Sequence, residues 1–292
     1  MHHNTRKTLP ELSNNPNWLS QKNIFLIDCE NYLLDNDCNW LDDTRIHIWT
    51  PCVSNVERAN CYHFWFDWMQ EIEKSLNYIS QLQPTETKRY FFDALLGTQR
   101  LHKNLVHGFI QNYANKDKFL ISYTGNPFTS PESNWIKSVD NEIPGQLLTY
   151  NKTQQANSSC VIPYLIYNQC WYSLVAETVG SYPNFYTEKT GKPLLSKRLF
   201  VMFAAKHHLK HLRDFGFKTF DGIIDESYDN IEDQETRYQQ AWKQVEFLMN
   251  QNPLAIYEQA ECVLDHNYNH FMNTDWKKDM HKRIKKISQS SK

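Results

Sequence analysis

The chain has 292 residues, 40% of them hydrophobic and 14% aromatic, more apolar material than a disordered chain carries and enough for two halves of about 150 residues, each with a core. Lys and Arg number 31 against 33 Asp and Glu, a formal net charge of -2, so no chain-wide field draws the protein to DNA or to an anionic membrane, and any phosphate recognition has to be local. Met1 to Asn23 is polar and no apolar run approaches the about 20 residues of a spanning helix, so the chain reads as cytoplasmic; a signal carried at the C-terminus would escape this test.

Residues 1–20, rich in Asn, Ser and Pro, read as a poorly ordered leader. Asn23 to Asp28 is a short apolar run ending in acid, the pattern of a buried parallel strand that delivers polar groups to its carboxyl edge. Arg45 to Thr50 is a second strand, stopped by Pro51. Phe64 to Leu82 carries apolar residues at helical spacing. Lys88 to Asp93 reads as strand, Gly97 breaks the chain, and a helix follows with Leu101, Leu105, Val106, Phe109 and Ile110. Lys118 to Tyr123 is again strand. Strands alternating with helices predict an α/β fold with parallel sheet.

From Thr124 to Ser159 apolar periodicity fails and Asn, Ser, Thr, Pro and Gly accumulate, as in an interdomain passage or a substrate-facing loop. A boundary near 150 divides the chain into an N-terminal α/β domain (21–150), expected on the acceptor side, and a C-terminal α/β domain (151–292). Beyond the boundary come a strand over Tyr172 to Glu177, a helix from Glu188 to Leu195 and a strand over Leu199 to Phe203. Leu209 to Phe215 is a short helix closed by Gly216. Glu235 to Met249 and Leu254 to Met272 are further helices. The tail from Trp276 is basic (Lys277, Lys278, Lys282, Arg283, Lys285, Lys286); a solvated helix end is its ordinary meaning, with peripheral membrane contact or nucleic acid as the sharper alternatives.

The 7 cysteines have no C-x-x-C spacing and read as reduced thiols. No phosphate loop of the Gly-Lys-Ser/Thr type and no Gly-x-Ser-x-Gly elbow is present, which argues against nucleotide hydrolysis and serine hydrolysis. Asp35-Asn36-Asp37 has the Asp-x-Asp form that holds a divalent cation, but it follows no long apolar strand. His207 and His211 stand four apart without the glutamate of an H-E-x-x-H site.

The densest signal is Phe185-Tyr186-Thr187-Glu188-Lys189-Thr190-Gly191-Lys192-Pro193-Leu194-Leu195. A hydroxyl stands where a helix is capped, and charges follow at once. Free backbone N–H groups and the positive end of the helix dipole favour an anion there, and a lysine adds a charge-assisted bond.

The run Tyr186-Thr187-Glu188-Lys189, with Leu194-Leu195 and the strand Leu199 to Phe203 behind it, resembles the donor-binding motif of family 10 glycosyltransferases, the α1,3/4-fucosyltransferases. That family reads E-N-S, a gap, Y-x-T-E-K, then a hydrophobic pair before an apolar strand; Ala176-Glu177-Thr178 stands at nearly the matching distance upstream. The resemblance implies that Lys189 contacts a nucleotide diphosphate and Glu188 a ribose or donor sugar, with Thr187 and Glu177 in the same motif. It also implies an arginine from the other side of the cleft. The nearest match to that element is Arg100-Leu101-His102-Lys103-Asn104-Leu105, with Lys103 at the arginine position and Arg100 one turn earlier.

The resemblance covers 90–110 and 171–205. The strand after Lys189 lacks the family's small Gly-Val-Pro-Val ending, and the segment from Gly216 to Asp229 departs from it, so sugar transfer is implied more than fucose. The implied fold is two Rossmann-like halves facing a cleft, GT-B-like, with C-terminal helices. The implied activity is metal-independent transfer of a sugar from a nucleotide-diphosphate donor, with no tightly bound cofactor, to a hydroxyl acceptor on a glycan, lipid or protein. Such transfer needs a base for the acceptor hydroxyl and positive groups for the departing diphosphate. Asp28, Glu30 and Asp93, near the carboxyl ends of strands, are the candidate bases. The reading from another class is a non-catalytic interaction protein that docks a partner through aromatic surface and basic tail.

Overall fold

The computed structural model describes residues 24–27, 45–50, 52–53, 59–82, 87–98, 100–124, 161–181 and 184–290. The chain forms two compact units, Met1–Phe64 with Asp275–Lys292, and Trp65–Thr274. Asp28, Glu30 and the Asp35-Asn36-Asp37 run lie outside the described residues.

The first unit holds strands β1 (Ile24–Ile27), β2 (Ile46–Thr50), β3 (Cys52–Val53) and β4 (Ala59–Cys61). β1, β2 and β4 form a parallel sheet in that order, with Ile24 opposite Ile46 and Ile27 opposite Trp49. Ile46, Ile48 and Trp49 are buried, as the apolar character of a parallel strand requires. The basic tail is a helix over Lys278–Ser290. Met280, Ile284 and Ile287 share its half-buried face, while Lys278, Lys282, Arg283, Lys285 and Lys286 are exposed.

The second unit is built on one four-stranded parallel sheet of β5 (Tyr90–Thr98), β6 (Phe119–Thr124), β7 (Cys170–Ala176) and β9 (Phe200–Phe203), in the order β6-β5-β7-β9. The two-residue strand β8 (Asn184–Phe185) precedes the Thr187-Glu188-Lys189 helix. Helix α1 (Phe64–Leu76) leads into this unit; α2 (Leu101–Asn112) connects β5 to β6; the single turn α3 (Tyr164–Tyr167) precedes β7; and α4 (Glu188–Leu195) connects β7 to β9. After β9 come α5 (His208–Asp214), α6 (Gln234–Met249) and α7 (Pro253–Asn273), and the basic tail helix is α8.

The sheet takes two strands from each side of residue 150, so the boundary expected there does not separate two compact units. The divisions fall instead between 64 and 65 and between 274 and 275. The chemical reason is that β7 is buried along its whole length and pairs directly with β5, Phe92 opposite Tyr172 and Asp93 opposite Ser173. An apolar strand of this kind needs neighbours on both edges and cover on both faces.

The connection from β5 to β6 runs one way along the sheet and that from β7 to β9 the other, so right-handed crossovers put α2 and α4 on opposite faces. The packing agrees. Phe109 of α2 meets Trp242 of α6 at 5.6 Å, and Trp242 stacks on Phe119 of β6 at 5.8 Å. On the α4 side, an added Cβ at Gly191 would lie 2.7 Å from Met69 of α1, so the two helices approach at a glycine. Phe271 of α7 packs on Phe66 of α1 at 5.2 Å. Gln70 of α1 donates to the carbonyls of Phe271 and Thr274, each at 2.8 Å, satisfying acceptors that the last turn of α7 leaves open.

Arg198, just before β9, is buried with all its donors engaged. It reaches Asp93 Oδ1 at 2.7 Å, Ser173 Oγ at 3.0 Å and the carbonyls of Tyr167, Cys170 and Tyr172 at 3.0–3.1 Å, with its guanidinium 4.0 Å from the centre of the Tyr167 ring. Among the described residues no helix is long and apolar enough to cross a membrane.

Candidate functional site

The two helices that leave the sheet in opposite directions define a switch point between β5 and β7. In open parallel sheets the crevice beyond the strand ends at such a point is where ligands bind. After β5 come Arg100, the N-cap of α2, and His102 and Lys103 in its first turn; after β7 come Glu177 and Thr178, then Thr187, the N-cap of α4, and Glu188 and Lys189 in its first turn.

β5 ends irregularly. Its register against β6 jumps from Leu95 to Gly97, a bulge that leaves Leu96 without a counterpart, and Gly97 takes φ 64°, which glycine adopts without strain. The carbonyl of the skipped Leu96 accepts from Lys103 Nζ at 2.7 Å, so the bulge and the lysine satisfy one another. Lys103 is only 2% exposed. Burial first, and then the Lys189 ammonium, push its pKa down to about 7.

Glu177 immediately follows β7 and is fully buried. Its Oε1 accepts from the Thr187 amide at 2.8 Å, the Thr190 hydroxyl at 2.7 Å and the Thr190 amide at 3.3 Å; its Oε2 accepts from the Thr187 hydroxyl at 2.7 Å and the Thr178 amide at 2.6 Å. The anion that the N-terminus of α4 attracts is therefore supplied by the chain itself. Thr187 caps the helix as its sequence context predicts, accepting from the Lys189 amide at 3.2 Å. The expectation that phosphate takes the backbone N–H groups of this helix start is thus revised: Glu177 is the internal capping carboxylate, and an external anion is left with the lysine side chains.

Lys189 extends its ammonium to Glu188 Oε1 at 2.5 Å and to the Thr178 hydroxyl at 3.2 Å. Burial is the largest influence and opposes charge on both members of this pair, but Glu188 and Glu177 together hold Lys189 above the usual lysine range, and Lys189 and Lys192 together hold Glu188 below the usual carboxylate range. The pair keeps a partly open side, 20% for Lys189 and 11% for Glu188, and is the ionic group that an incoming anion would meet. Arg100 is exposed at the N-cap of α2 and, among the described residues, its guanidinium has no hydrogen-bond partner. Lys189 and Arg100 are close enough to lower the proton affinity of Lys103, and Arg100 acts on Lys189 in the same sense.

All six residues expected at the donor site, Arg100, Lys103, Glu177, Thr187, Glu188 and Lys189, therefore gather at one sheet edge. Asp93 does not join them. It is 2% exposed, below the edge, with its carboxylate taken by Arg198 and Ser173, and is closed to an acceptor hydroxyl; its role as a base is withdrawn. His207 and His211 lie with ring centres 6.3 Å apart and edge-on, and among the described residues no group of His, Cys, Asp or Glu could hold a metal ion. His208 is buried behind Thr190, 3.2 Å from its hydroxyl, where burial pushes its pKa down to about 3 and keeps the ring neutral.

Two elements of the site carried no sequence signal. Arg237 of α6 gathers the carbonyls of Ala204, Ile231 and Glu232, so one side chain fixes the loops beyond β9. Gly180 presses against α2, where an added Cβ would meet His102 Cγ at 2.5 Å. Compared with protein-family models, curated proteins and solved structures, the chain finds no match.

Proposed function

We propose that the protein is a glycosyltransferase that moves a sugar from a nucleotide-diphosphate donor to a hydroxyl acceptor without a metal ion. The supporting observation is the convergence of Arg100 and Lys103 from the β5 side with Lys189 from the β7 side at the switch point of a parallel sheet. The three cations outnumber the Glu177 and Glu188 carboxylates beside them by one, and their mutual repulsion is relieved when a further anion joins them. A diphosphate carries the charge that matches them, and its departure with the electron pair of the broken glycosidic bond is the step such cations accelerate. The resemblance of Tyr186-Thr187-Glu188-Lys189 to the fucosyltransferase motif supports the same reading, as does the placement of the Lys103 element opposite that motif.

A parallel sheet in each of the two units supports a two-sheet, GT-B-like organisation. The proposed order of events is that the diphosphate draws Lys189 from Glu188, and Glu188, relieved of its partner, accepts from donor hydroxyls.

Replacing Lys189 by alanine is expected to weaken nucleoside diphosphate binding about 10- to 100-fold, the worth of one charge-assisted bond. The measurement is isothermal titration with UDP, GDP and CDP, with the melting temperature confirming that the variant is folded. Affinity within twofold of the unaltered protein would remove the donor assignment. If no diphosphate binds or thermally stabilises the unaltered protein, the non-catalytic docking role takes its place.

A further inference from the structure

We propose that His102 is the proton acceptor of the reaction, its Nδ1 taking the proton of the attacking hydroxyl; this rests on the glycosyl-transfer reading. With Asp93 sealed against Arg198, the described residues of the switch-point crevice offer few groups able to accept a proton. Glu177 is saturated by five donors, and Glu188 is bound to Lys189 and depressed by it.

His102 differs from both. Its Nε2 lies 2.8 Å from the main-chain carbonyl of Glu177, and a carbonyl only accepts, so Nε2 carries the hydrogen. The tautomer is thereby fixed, and in the neutral ring the lone pair is on Nδ1. Among the described residues Nδ1 has no hydrogen-bond partner, yet it is not one of the side-chain polar atoms sealed without one. The residue is 8% exposed, so little of it is open. Gly180 packs against Cγ and Cβ of the residue, closer than any side chain would allow, and Gln234 of α6 holds the Gly180 carbonyl at 2.5 Å. The imidazole is clamped by the carbonyl at one nitrogen and by a glycine loop behind the ring, which is how a base is held in one orientation.

The charged groups acting on the ring are Lys103 and Arg100 from its own helix and Glu177 at the end of β7; the α6 neighbour, Gln234, is neutral. Burial first lowers the imidazole's proton affinity, the Glu177 carbonyl bond opposes that, and Lys103 and Arg100 lower it further. An empty site thus keeps His102 neutral at pH 7. A bound diphosphate offsets the two cations, so the ring becomes a stronger base when the donor is in place. In the step itself the acceptor oxygen bonds to the sugar's anomeric carbon as the carbon–oxygen bond to the diphosphate breaks. The diphosphate leaves with that electron pair, facing Arg100, Lys103 and Lys189, while the hydroxyl proton passes to Nδ1. The imidazolium is stabilised by its Nε2–H bond to the Glu177 carbonyl and returns the proton to solvent.

The test pairs binding with turnover. His102→Gln retains an N–H able to reach the Glu177 carbonyl but has no basic nitrogen. Pyrophosphate affinity is measured by calorimetry, and release of nucleoside diphosphate from UDP-, GDP- and CDP-hexoses is measured with water and methyl glycosides as acceptors. The expected result is pyrophosphate affinity within threefold of the unaltered protein, turnover reduced about 100-fold or more, and loss of the acid limb that kcat/KM of the unaltered protein shows below the usual imidazole range. Turnover by His102→Gln within threefold of the unaltered protein would overturn the assignment while leaving glycosyl transfer standing. So would an unaltered protein whose rate shows no acid limb, a readout that does not depend on the variant folding. An unaltered protein that turns over none of the donors removes glycosyl transfer and the proton acceptor with it.

Discussion

Replacing Arg198 by alanine is expected to cost about 3–5 kcal/mol of folding stability, the range for breaking a buried ion pair from one side. Arg198 and Asp93 are 4% and 3% exposed and 2.7 Å apart. Removing the guanidinium leaves an uncompensated carboxylate between β5 and β7 and deprives the carbonyls of Tyr167, Cys170 and Tyr172 of their donor. The sheet is assembled from strands on both sides of a long connection, and this one side chain ties β5, the turn before β7, β7 itself and the entry to β9. A urea titration should show the midpoint falling with little change in slope. Asp93→Asn in the Arg198→Ala background should recover part of the loss, because the stranded charge is gone. A loss below about 1 kcal/mol for Arg198→Ala would show that the carboxylate is solvated after all, and would restore Asp93 as a group that chemistry could use.

The strands of the larger sheet were legible because each is an apolar run of strand length bounded by polar or turn residues: β5, β6, β7 and β9 fall where Lys88–Asp93, Lys118–Tyr123, Tyr172–Glu177 and Leu199–Phe203 indicated. Their order was not. Hydrophobic runs report that a strand is buried on both faces but not which neighbour covers its edge, and the return of β7 to the side of β5 is fixed by side chains far apart in sequence, Asp93, Ser173 and Arg198. The polar stretch reads as a boundary in the sequence, whereas strands from either side of it pair in one sheet. The short strands β3, β4 and β8, of two or three residues, are too brief to show a period.

That the candidate residues after β5 and β7 lie near one another follows from the strand order; which groups they bind to was not legible in the sequence. Thr187 as cap followed from the hydroxyl before Glu188, and Lys103 was found through its resemblance to an arginine-bearing element. The role of Glu177 was missed because a carboxylate after a strand looks the same whether it faces a ligand or a helix start; the three threonines at 178, 187 and 190 that wrap it were the available clue. His102 was passed over because a lone histidine in a helix's first turn carries no pattern. Only the distance to the Glu177 carbonyl fixes its tautomer.

Replacing Lys103 by methionine is expected to stabilise the protein and disable it together. The lysine is nearly fully buried, holds one carbonyl and has Lys189 and Arg100 as neighbours. Its pKa of about 7 in the folded chain, against 10.5 for an ordinary lysine, means that the unfolded chain binds the extra proton between those values. Stability must therefore rise with pH through that window, and the whole penalty stands below pH 7. At about 1.4 kcal/mol per unit the penalty is at most roughly 5 kcal/mol. Methionine fills the stem's volume but abandons the Leu96 carbonyl, so a net gain of about 2 kcal/mol at pH 7 is expected, roughly 4–8 °C in melting temperature. The gap between variant and unaltered protein should close as pH is raised from 7 to 10. Diphosphate binding behaves oppositely, since an anion beside Nζ favours the charged form. At pH 8 the unaltered protein should take up a fraction of a proton with each pyrophosphate, read as a dependence of calorimetric heat on buffer ionisation enthalpy, and its affinity should weaken as pH rises above 7. In Lys103→Met the proton uptake should vanish and the affinity fall by about tenfold or more. A variant that melts no higher, and binds pyrophosphate as the unaltered protein does, would show that Lys103 is a solvated structural residue. The opposed result, more stable and unable to bind, is the mark of a charge kept buried for a ligand.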